Sequence, residues 1–132
     1  MSDPIRLFTA IALISLPTVM FGGYSLLHLS QGEKLNEFQL RYFRAGHAHA
    51  GVLLVMTLAV LDILGRIGLG SGQEWAICLL LLVGVLAQSG GMFVHMSVGR
   101  PGAWSPGNTL TVVGAVLLAT ALLWSAYGVI VS

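Results

Sequence analysis

Two imidazoles lie one residue apart in the stretch RAGHAHAG, at His47 and His49, and every residue between and beside them is small. Ala45, Gly46, Ala48, Ala50 and Gly51 remove side-chain bulk, so a large, flat group such as a macrocycle could approach, which ordinary lipid packing does not require. Neutral imidazole ligates haem iron, zinc and copper, so residue type alone leaves the metal open. Positions i and i+2 on a helix are about 200° apart, so the two rings cannot face one ligand. One is then a ligand and the other a supporting or interface residue. The competing reading is a pair of histidines at a loop end in the headgroup region.

A second set, Gly84, Gln88, Gly91 and His95, recurs at intervals of four, three and four and so shares one helix face. Close helix–helix contact through small residues would account for the glycines without any cofactor, but less well for Gln88 and His95. Asp62 has a partner at hand in Arg66, four residues on, and His28 reads as an interfacial residue. No acidic or thiolate cluster suggests a dinuclear carboxylate site or an iron–sulfur centre. The lone Cys78 lies in an apolar run with no second cysteine to pair with.

The elements that must position these residues are set by composition. Of 132 residues, 56% are hydrophobic and only 8% charged, too few to solvate the outside of so small a protein in water. A mean hydropathy of +0.89 points to a bilayer as solvent, and a net charge of +1 excludes nucleic-acid binding by phosphate neutralisation. Crossing about 30 Å of hydrocarbon takes roughly 20 apolar residues. Four runs qualify, at about 5–29, 45–64, 75–98 and 109–131. The expected fold is all-α: one integral, multi-pass domain of four transmembrane helices in the cell membrane. The first run is long enough to span and lacks a small-x-small cleavage site, so it reads as a helix rather than a signal peptide, with a kink at Pro17.

Between the first two runs, Glu33, Lys34, Glu37, Arg41 and Arg44 alternate with Leu35, Phe38 and Tyr42 in a pattern that predicts a short interfacial helix. The second connection is a tight glycine-rich turn, and the third holds two prolines, with Asn108 placed to cap the fourth helix. Lys34, Arg41, Arg44 and Arg100 fall on one side and Arg6 and Arg66 on the other. That places the first and third loops in the cytoplasm and both termini outside. Trp75, Trp104 and Tyr127 fit aromatic-belt positions.

Across all four runs the chain resembles the styrene oxide isomerases, a family of small four-span membrane enzymes that bind haem b and rearrange epoxides to aldehydes. The likeness is carried by FGGYSLLHL late in the first run, His49-Ala-Gly51 where the family has His-Ser-Gly, AQSGGMF in the third, and SPGN where the family has Pro-Gly-Asp. The resemblance implies that His49 is the axial ligand of haem b iron, with His47 the alternative if a small gap shifts the alignment. Gly51, Gly91 and Asn108, in the matching motifs, would lie at the cofactor. It also implies a homotrimer with haem at the subunit interface, and a lipophilic epoxide as substrate. Gln88, Met92 and His95 are the pocket-facing candidates. Two departures matter: Met92 stands where the family has a pocket tyrosine, and Val55 where it has an asparagine.

Overall fold

The computed structural model describes residues 1–32 and 34–132; Glu33, counted above among the charges of the first loop, lies outside them. Four helices make up almost all of it: α1 (Asp3–Gln31), α2 (Glu37–Ile67), α3 (Ser71–Val98) and α4 (Pro106–Val131). Each is long and apolar enough to cross a membrane. At 1.5 Å per residue each runs roughly 40 Å or more, beyond the hydrocarbon thickness, so their ends reach headgroup depth.

Three helix starts come earlier than the sequence expectation: α3 begins at Ser71 rather than near 75, and α2 and α4 begin early because of caps. No separate interfacial helix precedes α2; Glu37 to Arg44 form its first turns. Asn36 sets this start: its side chain accepts from the Gln39 amide at 2.9 Å, and its own amide donates to Gln39 Oε1 at 3.1 Å. In α4 the N-cap is Ser105, not Asn108. Pro106 fills the first position, where no amide hydrogen is needed, and Asn108 closes the box by accepting from the Ser105 amide at 3.0 Å. At the other end of α2, Gly68 stops the helix in the left-handed region, at φ 64°. Pro17 lies within α1, which continues on both sides of it.

Among the described residues, α2 and α3 each touch all three other helices, whereas α1 and α4 do not meet. The arrangement is thus an open layer with α2 and α3 in the middle, not a closed ring. Its core gathers Ile5 and Phe8 from α1, Leu61 and Leu64 from α2, Ile77 and Leu81 from α3, and Leu118 from α4. The outer faces carry exposed Ile14, Met20, Val55, Leu86, Val116 and Leu123. In water such a surface would aggregate, and in lipid it is ordinary.

Glycines decide how closely α3 and α4 pack. A Cβ on Gly84 would stand 2.7 Å from Leu118 Cγ, and one on Gly91 2.6 Å from the Gly107 carbonyl oxygen. Gly114 abuts the backbone of Gln88 in the same way, and Thr111 Oγ1 donates to the Gln88 carbonyl at 3.4 Å. Gly84 and Gly91 therefore serve a small-residue helix contact.

Candidate functional site

The two histidines of α2 point in different directions, as their spacing requires. His47 faces α1, where its ring rests on Gly22 and Gly23; a Cβ on Gly23 would come within 2.9 Å of His47 Nε2. Gly51 also faces α1, towards Val19. Gly46 instead faces α3, against the Phe93 ring. The small residues of RAGHAHAG are thus divided: the glycines admit neighbouring helices, and Ala45 and Ala48 remain beside His49.

His49 opens onto a groove of about 340 Å³ lined by Ala48, His49, Val52, Leu53 and Gln88. Its Nδ1 lies 2.9 Å from the Ala45 carbonyl oxygen. A carbonyl only accepts, so Nδ1 carries the proton and donates it, which leaves Nε2 with a free lone pair. Orientation through Nδ1 with Nε2 available is the usual state of a ligating histidine. Val52 is exposed at the groove, so one chain does not close it.

Gln88 is the one residue of α3 on this groove, and its position is fixed from behind by the contact with Gly114. Met92, one turn further along α3, is half-buried and does not line the groove, and Gly91 is buried against α4. Val55 is exposed on the outer surface of α2. His28 is exposed near the end of α1, beside a separate hollow with Phe21, Tyr24 and Ser25.

His95 belongs to a different cluster. It is only 2% exposed, and its Nδ1 lies 2.7 Å from Ser105 Oγ. The rings of Tyr42 and Phe38 stand edge-on to it, with centroids 4.4 and 5.3 Å away. This cluster joins the start of α2, the end of α3 and the cap of α4, and it holds Asn108 as well. Its aromatic members were legible as an apolar face in the sequence; their partner was not, because Ser105 and His95 are ten residues apart across a turn. The buried Glu74 in the first turn of α3 was also hidden, falling in sequence at the end of the glycine-rich second connection.

Asp62 and Arg66 form the expected ion pair, 2.7 Å apart and exposed. Among the described residues no three or more His, Cys, Asp or Glu side chains gather as they would around a multi-ligand metal ion. A haem held by a single imidazole needs no such gathering. The groove fits that group in three respects: an oriented imidazole with a free nitrogen, small residues beside it, and apolar walls. Comparison with known proteins gave no matching family model, no matching curated protein and no matching solved structure.

Proposed function

We propose that this chain is a membrane haem b protein that rearranges a lipophilic epoxide to an aldehyde, with His49 as the axial ligand. The observation that carries the reading is the His49 ring: Nδ1 is committed to the Ala45 carbonyl, and the ring lines a groove shared with Gln88. When bound, the haem would supply a Lewis-acidic iron able to polarise the epoxide C–O bond for a Meinwald-type 1,2-shift.

The chain's own residues divide the remaining work. His49 holds the cofactor in one orientation because its ring cannot turn without losing the bond to Ala45. The Gln88 amide can donate to an oxygen in the groove and so stabilise charge developing there. Ala48, Val52 and Leu53 keep the groove apolar, which favours a lipophilic substrate and excludes water, whose attack would give a diol. A second copy of the chain would close the side left open at Val52, and a homotrimer with the cofactor between subunits satisfies this.

A second reading keeps the haem and drops the isomerisation, in favour of sensing, haem handling or electron transfer. It is favoured by Met92, which stands where the resembling family has a pocket tyrosine, and by Val55, which stands where it has an asparagine. Ligation by both His49 and His95 finds no support within one chain, since His95 is packed among Phe38, Tyr42 and Ser105. The two readings separate on incubation of hemin-loaded protein with styrene oxide and no reductant. Phenylacetaldehyde formation supports isomerisation, and its absence from pigmented protein supports the second reading.

A further inference from the structure

The groove beside His49 is bounded on α2 by two neighbouring ridges of the helix surface. Residues four apart lie one above the other, so Arg41, Ala45, His49 and Leu53 form one ridge and Arg44, Ala48 and Val52 the next. Four of these residues line the groove. Each ridge is headed by an arginine, and in each the next residue towards the groove is an alanine. Nothing larger than a methyl group on either ridge separates the guanidinium groups from the groove.

Depth agrees with this arrangement. Arg44 lies five residues before His49 and Arg41 eight, about 7.5 and 12 Å along the axis. Both are exposed, in the first turns of a helix whose length carries those turns to headgroup depth. Arg41 also touches Glu37 at 3.6 Å, a loose contact between two largely exposed side chains. Such a pair holds neither partner firmly. The groove itself is apolar, and the two arginines stand above it on the same ridges, Arg41 also lining a separate hollow with Gly99 and Pro101; this order matches a ligand that is apolar over most of its surface and carries carboxylates at one edge.

We infer that Arg41 and Arg44 bind the propionate carboxylates of the cofactor and set which edge of the macrocycle faces the membrane surface. The inference rests on the haem reading above. Guanidinium groups suit it because they pair with carboxylates through two parallel hydrogen bonds and stay charged at any physiological pH. The same chemistry would also accept a lipid phosphate.

The test is titration of the 132-residue chain in detergent with hemin and with hemin dimethyl ester, whose propionates are neutral. Wild type should bind hemin about tenfold or more tightly than the ester. R41Q/R44Q should lose that preference while binding the ester as wild type does, with an unchanged Soret position because His49 is intact. R41K/R44K should restore part of it. A double glutamine variant that keeps the full preference overturns the inference. If it keeps the preference while losing affinity for phosphatidylglycerol vesicles, the arginines serve lipid phosphate and the inference is equally overturned. Wild-type protein that takes up neither compound overturns the haem reading itself, a result distinct from the other two.

Discussion

His95 Nδ1 and Ser105 Oγ, 2.7 Å apart, tie the last turn of α3 to the cap of α4. The Ser105 hydroxyl donates to Asn108 Oδ1 at 3.2 Å and accepts from the Gly107 amide at 3.1 Å. The hydroxyl and the His95 ring share the shortest of these bonds, which holds the buried imidazole in place. Three helix ends meet at this point, since Phe38 and Tyr42 of α2 close over the ring.

Ser105→Ala removes both the helix cap and the hydrogen-bond partner of a buried imidazole. A lost cap costs about 1 kcal/mol and a stranded buried polar group about 1–3 kcal/mol. The expected loss of about 2–4 kcal/mol is read as a lowered midpoint in thermal unfolding of the detergent-solubilised protein. The ferric spin state should not change, because His95 lies outside the His49 groove.

Gly114→Ala tests the α3–α4 contact. Its Cβ would fall on the Gln88 backbone, which cannot move aside as a flexible side chain can. The helices must separate, at a cost of about 1–3 kcal/mol. Gly72→Ala, which meets nothing nearby, should leave the unfolding midpoint close to wild type.

The Gly23–His47 contact predicts non-additivity. Gly23→Ala crowds the His47 ring and should destabilise by about 1 kcal/mol. In the background of His47→Ala the same substitution meets no ring and should cost much less. A double-mutant cycle on unfolding midpoints measures the coupling.

These three contacts mark the limit of what the sequence discloses. The four apolar runs could be read directly, because length and hydropathy are local properties. So could the opposite directions of His47 and His49, which follow from helical pitch alone. That Gly84 and Gly91 serve α4 while Gln88 turns to the His49 groove could not, since four residues on one face do not reveal which neighbour each part of the face meets. The starts of α2 and α4 were misjudged by several residues because Asn36 and Ser105 act through short-range capping boxes that hydropathy does not register.

Gln88→Leu keeps volume at the groove and removes its amide. Under the isomerase reading, turnover of styrene oxide should fall about tenfold or more while hemin affinity stays near wild type. Equal losses in both would instead make Gln88 part of cofactor binding.

The account rests on His49, oriented through Nδ1 at the edge of its groove, as the ligand, and absorption spectroscopy of hemin-reconstituted protein tests it most directly. Ferric and dithionite-reduced spectra should show a Soret band in wild type and in His28→Ala, and its loss in His49→Ala. A colourless wild type, or a full band in His49→Ala with loss in His47→Ala, would contradict it.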